Sequence, residues 1–103
     1  MRIVIVEDEI KIRHGLANLI AKQTKNEIIA EAKNGQEGLE WVLKVRPDLV
    51  ITDIKMPFMD GLALSRMVTK EFPNMKIIIL SHFLMVPARF LLLMQKPPHT
   101  RCQ

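Results

Sequence analysis

Apolar residues along this chain follow two rhythms in turn. Arg2–Val6 (R-I-V-I-V) is a short β-branched run that ends in acid at Glu7, Asp8 and Glu9, the mark of a strand buried on both faces. From Glu9 the apolar positions Ile10, Ile12, Leu16, Ala17, Leu19 and Ile20 take helical spacing to about Lys22. Glu27–Ala32 (E-I-I-A-E-A) predicts a second short strand, and Lys33-Asn34-Gly35 the turn after it. Gln36 to Val45 predicts a helix with Leu39, Val42 and Leu43 on one face, stopped by Pro47. Asp48–Thr52 predicts the third strand and Gly61 to about Glu71 the third helix. Pro73-Asn74 then turns the chain into a fourth strand, Lys76–Leu80 (K-I-I-I-L). Strand and helix alternate three times, and each helix is long enough for a crossover. That pattern demands a parallel sheet covered on both faces.

The pattern breaks after Ser81. Residues 82–103 contain no acid, three of the six prolines, two of the three histidines and the only cysteine. Two domain segments are therefore expected, a core over 1–81 and a divergent tail over 82–103.

Size and composition narrow the classes. A chain of 103 residues supports one domain. An apolar fraction of 49% supplies a real core, and no apolar run is long enough to span a membrane. Arg2 leads straight into a strand and then acid, which is not a signal-peptide layout. Cys102 has no second cysteine to pair with, which fits a reducing, cytoplasmic compartment. The net charge of +4 invites a nucleic-acid reading, yet all eleven acids fall between Glu7 and Glu71. The basic residues form no run and lack interleaved aromatics, so direct nucleic-acid binding is not expected.

Candidate chemistry sits where the strands stop. Asp53 follows the apolar run of the third strand and precedes a Pro/Gly-punctuated loop, and the first strand delivers Glu7 and Asp8 at its own end. Open α/β sheets place their sites at the carboxyl ends of strands. Mg²⁺ takes oxygen ligands in near-octahedral geometry, so converging carboxylates suit it beside a phosphoryl group. An aspartate is a competent nucleophile toward phosphorus, and phosphoryl transfer asks mainly for positioning and charge neutralisation. Each acid also has an ordinary reading. Asp53 could cap the next helix, and Glu7 and Asp8 could be first-turn acids favoured by a helix dipole. Glu9 reads as a solvated helix-start residue, Asp60 as a turn-and-cap residue, His14 as solvent-facing, and Trp41 as partly buried packing.

These residues resemble the receiver domain of bacterial two-component response regulators. R-I-V-I-V-E-D-E looks like the family's first strand and acidic pair. P-D-L-V-I-T-D-I-K-M-P-x-M-D-G-L looks like its phosphoacceptor strand and loop, and K-I-I-I-L-S looks like its fourth strand. The likeness covers residues 1–81 with the family's spacing. It implies an α/β, flavodoxin-like, doubly wound parallel sheet, here incomplete, with about four strands, three covering helices and an atypical C-terminal tail.

It also implies a phosphorylation-controlled switch module rather than an enzyme, fed by a sensor histidine kinase and belonging to a transcription regulator. Asp53 matches the phosphoacceptor and Asp8 the direct Mg²⁺ ligand. Glu7 matches the neighbouring acid, acting on the ion directly or through water, and Lys55 the position that ligates through its backbone carbonyl. Ser81 matches the hydroxyl that senses the phosphoryl group. A phosphorylation-incompetent remnant working only through protein contacts is the alternative. A phosphohydrolase reading fails at Lys55, where such enzymes need an acid.

The family's later elements are a fourth helix, a fifth strand ending in Lys-Pro, and a fifth helix. Lys96-Pro97 offers itself as that lysine, but with Phe90–Gln95 as the strand only residues 82–89, including Pro87, would remain for the crossover. A parallel connection needs about a dozen or more. The sequence therefore leaves an open edge at the fourth strand, where homodimerisation or strand exchange is expected. A tail folding back over the gap as a Pro87-broken helix is the other way to cover it.

Overall fold

In the computed structural model, residues 1–23, 25–81 and 84–89 are described. The elements run β1 (Arg2–Val6), α1 (Ile10–Gln23), β2 (Glu27–Ala32), α2 (Gly35–Val45), β3 (Leu49–Asp53), α3 (Gly61–Glu71), β4 (Lys76–Ser81) and β5 (Leu84–Pro87). They form one sheet of order β2-β1-β3-β4-β5. The first four strands are parallel, as the expected doubly wound sheet requires.

Strand alternation separates two cores. Val4 and Val6 point with Val50, Ile77 and Ile79 toward α2 and α3, where Val42, Leu64 and Val68 close the layer. Ile3 and Ile5 point with Leu49 and Ile51 toward α1 and meet Ala17. Both faces of β1 are buried, which is why its run is uniformly apolar rather than alternating. Buried Gly38 lets α2 lie close on this sheet, because a methyl group there would press into Val6.

Helix ends explain the loop residues. Asn34 caps α2 by accepting from the Glu37 N–H (2.8 Å), and the Glu37 carboxylate accepts from the Lys33 N–H (3.1 Å), a reciprocal cap. Asp60 caps α3 by accepting from the Ala63 N–H at 2.8 Å. At the far end of α2, the Arg2 guanidinium donates to the Val45 and Arg46 carbonyls, placing a cation on the negative pole of the helix.

The β1–β2 register slips. Ile3 pairs with Ile28 but Val4 pairs with Ala30, so Ile29 is an extra residue in β2. The bulge turns Glu31 to the α1 side of the sheet, where it meets Arg13 and His14.

The β4 edge differs from expectation. Leu84–Pro87 forms a fifth strand there, antiparallel to β4, with Ile79 paired to Val86 and Ile78 to Pro87. This is neither the open edge nor the Pro87-broken helix that the sequence suggested. Two residues lie between β4 and β5, enough for a hairpin reversal but far too few for a parallel crossover. The edge through which strand exchange was expected is thus β5, not β4. Pro87 has no N–H, so it supports only one end of that new edge.

Candidate functional site

Register alone brings the acids together. Val6 of β1 pairs with Thr52 of β3, so the next residues, Glu7 just past β1 and Asp53 at the end of β3, stand side by side. One ligand oxygen from each of Glu7, Asp8 and Asp53 lies within 4.8 Å of the others. Their exposure grades across the cluster: Glu7 is buried, Asp53 intermediate and Asp8 exposed. A set of three carboxylates with one face open to solvent fits a hard divalent cation that keeps some of its waters.

Crowding has an electrostatic signature. Burial, joined by a hydrogen bond with Asp8 and the charges of Asp53 and Asp8, pushes the Glu7 carboxyl up to about 7, against the opposing Glu9 N–H. That N–H donates to Glu7 Oε2 at 2.9 Å. Without a cation, the pocket is therefore a place where one acid retains a proton near neutrality.

The loop from β3 to α3 holds Asp53 in position. The Ile54 N–H donates to Asp53 Oδ1 at 2.8 Å, and the Thr52 hydroxyl donates to the Asp53 carbonyl at 3.0 Å. The Gly61 N–H returns to the Ile54 carbonyl at 2.7 Å, and a methyl group on Gly61 would overlap the Asp53 carbonyl oxygen. Gly35, at the start of α2, donates to the Met59 carbonyl and approaches it so closely that a side chain would collide. Two glycines thus allow two helix starts to close on one loop.

Phe58 is the strained member of that loop. Its φ is 71°, the residue is 88% exposed, and the Met59 N–H closes on the Pro57 carbonyl across it at 2.8 Å. A three-residue turn with positive φ at its centre is rare for a residue bearing a side chain. We expect Phe58→Gly to raise the unfolding free energy by about 1 kcal/mol and Phe58→Val to lower it by about as much. Urea midpoints of the two variants check the opposite signs.

The other expected site residues divide. Lys55 is exposed in the loop. Ser81 ends β4 one residue beyond Leu80, the register partner of Asp53. Lys96 lies outside the described residues. His14 is exposed and stands 3.7 Å from Glu31, Trp41 is half-buried, and Asp60 is the α3 cap described above. Sequence reasoning passed over Arg13, whose Nη1 donates to the Glu7 carbonyl at 2.8 Å. The available signal was a basic residue one turn into α1, close behind the acidic pair. A cavity of ≈ 570 Å³ lies at the opposite end of β3 and β4, lined by Leu49, Ile77, Ile78 and Pro87. It is remote from these acids.

A family model described as the response regulator receiver domain matches residues 3–93. The transcriptional regulatory protein LnrK of Bacillus subtilis is 35% identical over 83 residues, covering 81% of this chain and 38% of LnrK. A protein-glutamate methylesterase/protein-glutamine glutaminase of Oleidesulfovibrio alaskensis is 39% identical over 74 residues, covering 72% of this chain and 20% of its own length. Among solved structures, a DNA-binding response regulator of the LuxR family from Staphylococcus aureus superposes with a TM-score of 0.75 at 33% identity, covering 80% of this chain and 68% of that one. The chain belongs to the response regulator receiver domain family. A receiver domain is a signalling domain, and the chain spans about two fifths of the length of LnrK. No helix among the described residues is long and apolar enough to cross a membrane.

Proposed function

We propose that this receiver domain is a phosphorylation-controlled switch in which Asp53 accepts a phosphoryl group from a sensor histidine kinase in the cytoplasm. The observation that carries the reading is the convergence of Glu7, Asp8 and Asp53 within 4.8 Å at the carboxyl ends of adjacent strands. Asp8 and Asp53 would hold Mg²⁺ with the backbone carbonyl of Lys55, and Glu7 would join directly or through water. When bound, the cation supplies neutralising charge for the acids and the incoming phosphoryl oxygens.

The chain's own residues do the rest. Asp53 is oriented by the Ile54 N–H on Oδ1, so its second oxygen is the one to attack. A bond forms from that oxygen to phosphorus as the bond from phosphorus to the donor's leaving atom breaks. The Ser81 hydroxyl senses the added group, and Lys96 is the candidate counter-cation in the tail.

Division of the chain at Ser81 belongs to this reading. It is supported by the antiparallel β5, which does not reproduce the parallel fifth strand expected of the family. The similarity to LnrK, a transcriptional regulatory protein, supports a transcription-regulating parent protein.

Acetyl phosphate with Mg²⁺ tests the switch without a kinase. Intact mass should rise by one phosphoryl group, and Asp53→Ala or excess chelator should abolish the gain. An unmodified mass for the wild-type chain after prolonged incubation would leave only the reading of a module that acts through protein contacts.

A further inference from the structure

Asp8 is the most exposed acid of the cluster, yet the backbone on either side of it is tightly tied. The Glu7 N–H donates to the Ala32 carbonyl of β2 at 2.9 Å, and the Glu9 N–H donates to the Glu7 carboxylate. The remaining ties converge on one residue. Arg13 donates through its own N–H to the Glu9 carbonyl at 3.0 Å and through Nη1 to the Glu7 carbonyl at 2.8 Å. On its other edge, Nε stands 3.5 Å from Glu31 Oε1, and the Arg13 side chain is 14% exposed.

We infer that Arg13 is a positioning residue for the cation site, aiming the Asp8 carboxylate by fixing the peptide plane between Glu7 and Asp8. This rests on the magnesium reading proposed above. The carbonyl of Glu7 belongs to the same rigid plane as the N–H of Asp8, so holding that oxygen fixes the plane's rotation. With the following plane held by the Glu9 N–H on the Glu7 carboxylate, rotation about the Asp8 backbone is restricted and the direction of its Cα–Cβ bond is set.

Arginine suits the task because its planar fork presents donors on two edges at a fixed separation, whereas a lysine ammonium can serve one acceptor with less direction. Glu31 supplies the second anchor. Its Oε1 is buried and accepts no hydrogen bond among the described residues; the Arg13 guanidinium faces its charge, and His14 Nε2 stands 3.7 Å away. The extra residue Ile29 in β2 is what turns Glu31 to this side. The bulge, the glutamate and the arginine thus form one chain of support ending at the acidic corner.

The experiment measures Mg²⁺ binding by calorimetry, alongside thermal melts, on the full 103-residue chain. Wild type is compared with Arg13→Ala, Arg13→Lys and Glu31→Ala at a temperature where each remains folded. Arg13→Ala should weaken Mg²⁺ binding about ten-fold or more, the cost typical of losing a residue that orients a metal ligand. Arg13→Lys should recover part of that loss, and Glu31→Ala should fall between wild type and Arg13→Ala.

A purely structural arginine would lower the melting temperature and leave the dissociation constant within about two-fold of wild type. That outcome overturns the inference. Should Arg13→Ala not fold, unchanged Mg²⁺ binding in both Arg13→Lys and Glu31→Ala overturns it equally. A wild-type chain that takes up no Mg²⁺ removes the magnesium reading itself, a failure distinct from variants that bind like wild type.

Discussion

Gly61→Ala should be among the most damaging single-methyl changes in this domain. The added carbon would overlap the Asp53 carbonyl oxygen and crowd the Ile54 backbone, neither of which can swing aside as a side-chain tip could. Relief requires lengthening the 2.7 Å hydrogen bond from the Gly61 N–H to the Ile54 carbonyl. Overpacking against backbone costs about 3 kcal/mol. Because whole-domain stability is commonly about 5–15 kcal/mol, that is a large share. The melting temperature should fall by roughly 10 °C or more.

If Asp53 is the acceptor proposed above, chemistry should suffer as well, since the displaced carbonyl belongs to that residue. A shift of about 1 Å in Asp53 would slow phosphoryl uptake from acetyl phosphate on the order of a hundred-fold. The matching control is Gly15→Ala. Gly15 is exposed on α1 with nothing within 4 Å of a new methyl group. There the same substitution should stabilise by about 0.8 kcal/mol through helix propensity alone. Thermal melts that move in the same direction for both would contradict the packing argument.

The second large effect concerns acidity. Glu7 has its carboxyl pushed up from 4.5 to about 7, burial being the chief cause. A raised value means that the fold favours the protonated acid. Below pH 4.5 both folded and unfolded chains are protonated and the contribution is fully present. Between pH 4.5 and 7 the unfolded chain releases its proton while the folded one keeps it. Stability therefore falls as pH rises through that window, by about 3 kcal/mol, and is level above it.

Divalent cation acts in the opposite sense. On the magnesium reading proposed above it would bind the ionised acids in competition with protons, and Mg²⁺ should stabilise the domain more at pH 8 than at pH 5.5. Glu7→Gln isolates the effect, because a neutral amide has no proton to lose. Without metal, the variant should be the more stable protein at pH 8, and its denaturation midpoint should vary little between pH 4.5 and 7. Denaturant titrations at pH 5 and pH 8, each with chelator and with Mg²⁺, check the crossing. A wild-type midpoint that climbs through that pH range in chelator would contradict the assignment.

The central strands and helices were legible because their burial follows a simple period. R-I-V-I-V and D-L-V-I-T are apolar on both faces, and both became interior strands of the sheet. The meeting of Glu7 with Asp53 was legible for the same reason, since parallel neighbours that end together deliver their next residues together.

What escaped depends on local geometry that no period records. Leu84–Pro87 is too short to show alternation, and its pairing is decided by the unpaired backbone of β4 lying two residues away. E-I-I-A-E-A reads equally well with Glu31 on either side, and only the bulge at Ile29 decides. Nothing in the pattern sets Arg13 apart from the other basic residues, because its role depends on the Glu7 carbonyl that it reaches only in the fold. The positive φ of Phe58 could not be read from M-P-F-M-D-G, because nothing in a phenylalanine asks for it.

The position of β1 between β2 and β3 has a consequence for how the molecule is made. A nascent chain delivers this strand first, but its second neighbour does not exist until Asp53 has left the ribosome. Until then the most apolar strand of the domain has one side without a partner, and it depends on pairing across long loops that close slowly. Changes that stall the chain after β2 has emerged but before Asp53 has should thus cost more soluble protein than equal delays once the whole sheet is outside.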